Sequence, residues 1–496
     1  MTTDHATFTG LTRFTHPQQV RACGVLMGTA VADAVGAPFE FKPGGLYAQR
    51  FPQPVLGGIG EMIGGGGFGW APGEFTDDTQ MALALAHALE EANGFSPDVV
   101  WRHFRTWSAT AKDVGITISH SLRAKSHVGA AEAAHEALGG RTASNGAVMR
   151  IAPIGVYGVR LSRAHATELA MAQAALTHFD PSAAFGAAFV ADVIRSTIIT
   201  GDFTSSVSSA FAFFSESLYA SFLENEFADV LSPDFDPEGD NVLPNGTIWT
   251  AVGQALWAVR TTTTFHDAIV AAINLGGDTD TVAAIAGAMA GAFYGLQGIP
   301  VRWTTYVHGY LDTPHAGRMS YKGQDLVNIS RRLLGLSNAP VTPPERAYPA
   351  KMVHPVGVWA SNLDGAAAVP QDFGVVSLCI TEDRFVNHPH RRQVYMRDNE
   401  GDQNPNLFFA VKESVDAINA FLREGRQVVV HCHGGRSRTA FVLKAWYMMH
   451  EGVQHDLAHQ WMNDTWSLYE TWTESFFDLL DNEWGDHVEE NTGGTK

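Results

Sequence analysis

Cysteine is nearly absent from this chain: Cys23, Cys379 and Cys432 are the three in 496 residues. An odd count spread over the whole length excludes a disulfide framework and offers no paired spacing for zinc. Such usage predicts a reducing compartment, the cytoplasm. Positive charge is also scarce. Lys and Arg number 33 against 52 Asp and Glu, a formal net charge of −19. That argues against general affinity for DNA, RNA or anionic membrane, so neither nucleic acid nor membrane is expected as a partner. The first ten residues, MTTDHATFTG, lack a basic stretch followed by an apolar core and do not read as a signal peptide. Long apolar runs are missing too. VAAIAGAMAGAFYG (282–295) comes nearest, and it is too short and too rich in small residues to span a bilayer.

What is present is ordinary in bulk: 45% hydrophobic and 17% charged residues, the composition of a globular protein. The length exceeds one core and predicts two or three domains. Residues 17–335 read as helices, as in TQMALALAHALEEANG, SRAHATELAMAQAALTH, SAAFGAAFVADVIRSTI and HDAIVAAINLGG, where alanine is frequent and apolar residues recur three and four apart. Residues 336–356, LSNAPVTPPERAYPAKMVHPV, are proline-rich and aperiodic, and read as a linker. Over 357–490 the texture changes. GVWASN, FGVVSLCI and RQVVVHC look like short buried strands, with the helical NLFFAVKESVDAINAFLREG between them. The expected fold class is therefore multidomain, an all-α domain followed by an α/β domain.

The stretch VVVHCHGGRSRTAFV (428–442) places Cys432 after a strand-like run and before a helical one. A loop feeding a helix N-terminus aims backbone N–H groups at one spot, attracts anions and favours a thiolate. Gly434 and Gly435 permit the tight path, and Arg438 is able to fork two hydrogen bonds onto a phosphate. Thr439 or Ser437 would hydrogen-bond the sulfur. The alternative is a buried cysteine at a strand end beside a solvent-facing arginine. Spacing, His431 and context together resemble the Cys-x5-Arg phosphate loop of protein tyrosine and dual-specificity phosphatases. That resemblance implies Cys432 as nucleophile, Arg438 as phosphate ligand, Thr439 at the sulfur and an upstream aspartate as acid, with no cofactor. VYMRDNEGDQNPNL offers Asp398, favoured for following a strand-like run, and Asp402. Both also suit an ordinary polar turn.

Two acidic stretches mark the helical part: GEFTDDTQMALALA, with Thr76, Asp77 and Asp78, and NLGGDTDTVAAIAG, with Asp278, Asp280 and Thr281. Capping explains one acid per helix start. It does not explain adjacent carboxylates at one start and Asp-x-Asp-Thr at the other, whose approach is costly without a cation. Carboxylate and hydroxyl oxygens suit Mg²⁺ or Mn²⁺, and two clusters of this size would hold two ions. Together with GVLMGTAVADAVGAPFEF, SNGAVMRIAPIG and LTHFDP, in this order over most of residues 20–330, these stretches resemble the ADP-ribosylglycohydrolase family. The resemblance implies a helical domain with two Mg²⁺ or Mn²⁺ ions that hydrolyses the bond between ADP-ribose and a modified side chain. Thr76, Asp77, Asp78, Asp278, Asp280 and Thr281 would be the metal ligands. Glu40 would be the acid at the scissile bond, and Asp113 a second catalytic or positioning acid. Ser144, Asn145, Gly146, Met149 and His178 would line the ADP-ribose site. Each has a plainer reading: Glu40 as a surface acid, Asp113 as a cap, Asn145-Gly146 as a turn, His178 as a helix-end histidine.

The expected activities are release of ADP-ribose from a protein or small ADP-ribosyl substrate, arginine-linked in first place, and removal of phosphate from a second, phosphorylated substrate. Two rivals remain: an ADP-ribose-binding or toxin-immunity protein in which binding matters more than turnover, and a phosphatase whose helical domain senses ADP-ribose.

Overall fold

The computed structural model describes residues 14–240, 242–338, 347–381, 384–398, 403–470 and 472–492. The chain forms two compact units: Met1–Gln53, Glu61–Ile299 and Tyr306–Ala339 in one, Pro54–Gly60, Pro300–Thr305 and Pro340–Lys496 in the other.

The first unit is helical. Helix α1 (His16–Gly36) opens with a Thr15–Gln18 capping box and Pro17 in its first turn, and nearly all of it from Ala22 onward is buried. Helix α2 (Asp77–Ala92) follows a glycine-rich loop. Helices α3 (Arg163–Ala175), α4 (Pro181–Thr200), α5 (Ile248–Arg260), α6 (Phe265–Asn274) and α7 (Thr279–Tyr294) contribute much of the core. The segments His16–Phe39 and Pro181–Thr200 are long and apolar enough to cross a membrane by length and composition, but both are largely buried within this unit. They are apolar on every face because they are core helices.

Glycine sets the closest helix pair. A Cβ on Gly24 of α1 would lie 2.2 Å from the carbonyl oxygen of Gly291 on α7. One on Gly28 would lie 2.2 Å from Gly287 O, and one on Gly36 would lie 2.7 Å from the Cα of Asp280. The two backbones therefore touch along a glycine seam that ends at Asp280. One antiparallel hairpin interrupts the helical texture, β1 (His308–Thr313) paired with β2 (Gly317–Lys322), before helix α8 (Gly323–Leu333).

The second unit holds a five-stranded sheet. Its strands are β3 (Lys351–His354), β4 (Val358–Asn362), β5 (Gly374–Ser377), β6 (Arg391–Gln393) and β7 (Val428–Cys432), in spatial order β3-β4-β7-β5-β6. All neighbours are parallel except β3 and β4. Strand β3 lies inside the stretch that composition reads as linker; residues 339–346 of that stretch lie outside the described residues. The central strand β7 is buried throughout and alternates its faces: Val428, Val430 and Cys432 enter one apolar cluster and Val429 the other. Helices α9 (Leu407–Arg423), α10 (Ser437–Glu451), α11 (His455–Thr465), α12 (Glu474–Asp481) and α13 (Glu483–Thr492) complete the unit. Segment 300–305 belongs here because Glu413 of α9, 8% exposed, accepts the Val301 N–H at 2.8 Å and faces Arg302 at 3.8 Å.

Candidate active sites

In the helical unit, capping does not account for the acidic stretches. The start of α2 is capped from a distance. Asp33, buried in α1, accepts the N–H of Thr76 at 3.0 Å, the N–H of Thr79 at 3.1 Å and the Thr79 hydroxyl at 2.5 Å. The Thr76 side chain makes no capping bond, and neither does that of Asp278 at the start of α7. Thr76 Oγ1 donates instead to Asp78 Oδ2 at 3.3 Å, and Thr281 hydrogen-bonds Asp78 as well. Asp77, Asp78 and Asp280 are all buried, and none of them occupies the cap position of its helix.

The acids converge. Oxygens of Glu40, Asp278 and Asp280 lie within 4.8 Å of one another. Burial, then Asp278, Asp113 and Asp33, pushes the Glu40 carboxyl up to about 8. Asp77, Asp78 and Asp280 are held well above the ordinary carboxylate range, first by burial and then by neighbouring carboxylates. Asp113 is pushed up to about 6, mainly by burial and further by Asp278. It is not a helix cap, since Gly115 occupies that position before Ile116–Leu122. Glu40 Oε2 and Asp78 Oδ1 are buried without a hydrogen-bond partner. Two orphaned carboxylate oxygens in an all-oxygen cluster fit a hard divalent cation. These acidic groups could hold a metal.

Supports for this cluster include two residues that local spacing does not reveal. Asp33 is one. The other is Asn245, whose Oδ1 accepts the Asp278 N–H at 2.9 Å while its amide donates to Gly276 O at 2.9 Å. Their signals are slight: an aspartate in an otherwise apolar helix, and Asn-Gly after a proline. Asn145 Nδ2 donates to Asp278 Oδ2 at 2.8 Å, which ties the SNGAVM stretch to the acids and makes Asn145 more than a turn residue. Ser144 Oγ pairs with His178 Nε2 at 2.9 Å. His178 is 1% exposed, and burial, with Arg150 nearby, holds it well below the usual histidine range. Its ring borders Gly146, where a Cβ would lie 3.3 Å away, and Met149 is buried close by in sequence. His178 thus orders Ser144 as a neutral imidazole.

In the α/β unit, Cys432 ends β7, at the carboxyl end of a parallel strand where such sheets place their sites. The loop turns back through Gly434 and Gly435. Gly435 has φ of +72°, and a Cβ there would lie 2.8 Å from Ser361 O, so glycine is required. Arg438 is in the first turn of α10. Its Nη1 donates to Leu378 O and Met396 O, each at 3.0 Å, and its Nε faces Asp398 Oδ2 at 3.5 Å. Asp398 Oδ1 accepts the Thr473 hydroxyl at 3.2 Å. Asp402 lies outside the described residues. Ser437 Oγ and Thr439 Oγ1 are buried without hydrogen-bond partners, and the buried Arg438 Nε has only the ion pair with Asp398. The hydroxyls of Ser437 and Thr439, with the Arg438 guanidinium beside them, form a cradle suited to an anion at this helix start. His431 Nε2 pairs with Ser377 Oγ at 2.7 Å, and burial pushes this imidazole down to about 4, so it packs neutral under the loop.

Fold and geometry thus define a chain with two hydrolase-type units, one centred on carboxylates and one on a cysteine. The model of the ADP-ribosylglycohydrolase family matches residues 15–340, and that of the dual specificity phosphatase catalytic domain matches residues 370–469. The chain is 31% identical over 293 residues to ADP-ribosylarginine hydrolase Tri1 of Serratia proteamaculans (strain 568), which spans 57% of this chain and 74% of that one. It is 30% identical over 287 residues to the ADP-ribosyl-[dinitrogen reductase] glycohydrolase of Rhodospirillum rubrum, spanning 57% of this chain and 88% of the other. A solved structure described as an ADP-ribosylglycohydrolase-related protein complex aligns at 25% identity and a TM-score of 0.50, covering 65% of this chain and 100% of its own. The chain belongs to the ADP-ribosylglycohydrolase family, with a dual specificity phosphatase-type domain following in the same polypeptide.

Proposed function

We propose that the helical unit is a divalent-cation-dependent hydrolase that releases ADP-ribose from modified arginine side chains, and that the α/β unit is a cysteine-dependent phosphatase. The observation that carries the first reading is the set of buried acids that cap nothing, with Glu40 Oε2 and Asp78 Oδ1 unpartnered. The arginine linkage rests on the name of the relative in Serratia proteamaculans. Thr76, Asp77, Asp78, Asp278, Asp280 and Thr281 would hold two Mg²⁺ or Mn²⁺ ions. Once bound, such ions supply Lewis-acid polarisation of ribose hydroxyl and water oxygens.

The protein's own groups do the rest. Cleavage at the anomeric carbon builds oxocarbenium character, which Glu40 stabilises by proximity. In its ionised form Glu40 takes the proton of the attacking water on Oε2 as the C–N bond breaks and the new C–O bond forms, and that proton passes to the departing guanidine nitrogen. Asp113 lies close enough to share that field. Asn145 and Asn245 hold Asp278 from its side-chain and backbone ends. Ser144, ordered by His178, presents its oxygen to the nucleotide, and Gly146 and Met149 would line the ADP-ribose site with it.

In the α/β unit, the Cys432 thiolate attacks phosphorus and forms an S–P bond as the ester P–O bond breaks. Asp398 gives its proton to the departing oxygen. Water then breaks the S–P bond, returning a proton to Asp398, while Thr439 donates to the sulfur. The loop N–H groups and Arg438 hold the phosphate oxygens. The partners are thus an ADP-ribosylated protein or small ADP-ribosyl compound and a phosphorylated substrate. Three free, buried cysteines suit the cytoplasm.

The test is release of free ADP-ribose from arginine-linked and serine-linked peptides, with Mg²⁺ and with EDTA. Metal-dependent release from the arginine-linked peptide supports the reading. Silence on both peptides overturns it.

A further inference from the structure

Residue Phe41 breaks two rules at once. It directly follows Glu40 and is 71% exposed. It also has φ of +57°; Asn93 is the other described non-glycine residue with positive φ, and that asparagine caps the end of α2, where the left-handed conformation is ordinary. The local geometry is a type II turn. Glu40 has φ −52° and ψ 135°, and the Lys42 N–H returns to Phe39 O at 3.1 Å. Phe41 therefore occupies the third position of that turn, where glycine or asparagine is demanded and a bulky residue is strained.

The strain is held from both sides. The Phe41 N–H donates to Gly277 O at 2.6 Å, and the Gly277 N–H returns to Lys42 O at 2.9 Å. Gly277 precedes Asp278. The turn carrying Glu40 is thus laced to the loop carrying the metal-type acids, and the phenyl ring stands in solvent where they meet. A turn that needed only to deliver Glu40 would use glycine, and no packing explains the ring, since it makes no ring contact with any described residue. Strain kept beside a reactive carboxylate points to a function for the side chain.

We propose that the Phe41 ring is the stacking platform for the guanidinium of the ADP-ribosylated arginine, and so a specificity-determining residue for the acceptor side of the scissile bond. This rests on the reading of the helical unit as an arginine-directed ADP-ribose hydrolase. A planar, weakly hydrated cation is the partner that an aromatic side chain next to Glu40, on a turn bonded to the residue before Asp278, selects. The acids and the SNGAVM stretch face the ribose and nucleotide. The residue next to Glu40, on the solvent side, meets whatever is attached to the ribose.

The experiment compares Phe41→Leu, Phe41→Gly and Phe41→Tyr in the full chain with Mg²⁺. The readouts are kcat/KM for arginine-linked and serine-linked peptides, inhibition by free ADP-ribose, and melting temperature. Loss of the π face in Phe41→Leu and Phe41→Gly is expected to lower arginine-linked kcat/KM about tenfold. Phe41→Tyr retains it, and free ADP-ribose inhibits all forms equally. Phe41→Gly also melts about 2 °C higher, because the turn is relieved. Undiminished arginine-linked turnover in both Phe41→Leu and Phe41→Gly overturns the proposal. Equal loss on both peptides, or weaker inhibition by ADP-ribose, also overturns it and assigns the ring to the nucleotide. A wild-type chain silent on the arginine-linked peptide instead sinks the underlying reading of the site.

Discussion

Replacing Gly28 with alanine tests whether the glycine seam between α1 and α7 positions the acidic site. The added Cβ would stand 2.2 Å from Gly287 O. A relaxed carbon–oxygen contact is about 3.3 Å, so the two helices must part by about 1 Å. The obstacle is backbone, which no rotamer change relieves. Overpacking of this kind costs about 3 kcal/mol, the upper end of its usual range. For a unit of this size that lowers the melting temperature by roughly 6 °C. Activity is expected to fall further than stability suggests, because Asp33 and Glu40 lie on or beyond α1 while Asp278 and Asp280 open α7. A 1 Å error between reacting groups costs about a hundredfold. Thermal melting and ADP-ribose release at a temperature where the variant is folded measure the two effects. Gly67→Ala is the control, since a Cβ there meets nothing within 4 Å. A Gly28→Ala protein that melts within about 1 °C of wild type and keeps full turnover would refute the seam argument.

Other outcomes follow from the same geometry. Asp33→Asn is expected to weaken Mg²⁺ binding in calorimetry, because Asp33 fixes the backbone of Thr76 and Thr79 without itself joining the orphaned oxygens. Cys432→Ser should abolish phosphate release while leaving ADP-ribose release unchanged, and EDTA should do the reverse. Asp398→Asn is expected to slow hydrolysis of alkyl phosphates by about a hundredfold and of esters with acidic leaving groups far less; equal slowing of both would rule it out as the proton donor. His431, depressed from 6.5 to about 4, contributes stability that is complete above pH 6.5 and is lost as pH falls through 4. The full span is worth about 3 kcal/mol, and His431→Gln should flatten this slope in denaturant titrations of the full chain; an unchanged slope would remove His431 as its source.

Much of the two candidate sites was legible in the sequence because the residues proposed for each chemistry stand in short stretches. Cys432 and Arg438 share one loop. Asp77-Asp78 and Asp278-x-Asp280 each stand at one helix start. What spacing could not decide was whether those acids were caps, since the residue that caps α2, Asp33, lies 43 positions before Thr76. Asn245 escaped for the same reason: its partners are 33 and 100 residues away. The hairpin β1–β2 was submerged in helical surroundings, although His308–Thr313 alternates its burial as a strand should. Strand β3 has only four residues and sits among prolines, where composition outweighs so short a pattern. Phe41 was invisible because nothing in the residue type announces a left-handed backbone.

The short strand β3 has a practical consequence. A fragment that begins at residue 357, where composition suggests a cut, loses Lys351–His354 and bares the outer edge of β4 from Val358 to Ala360. An unpaired apolar edge beside a parallel sheet recruits other chains, so that fragment is expected to aggregate. Beginning at residue 347 restores the edge but deprives the buried Glu413 of the Val301 N–H and of Arg302. The α/β unit is therefore not a contiguous module that can be moved by transplanting its C-terminal stretch. Its inheritance is tied to residues encoded before the helical unit is finished, so recombination at the obvious boundary is expected to yield an incomplete α/β unit.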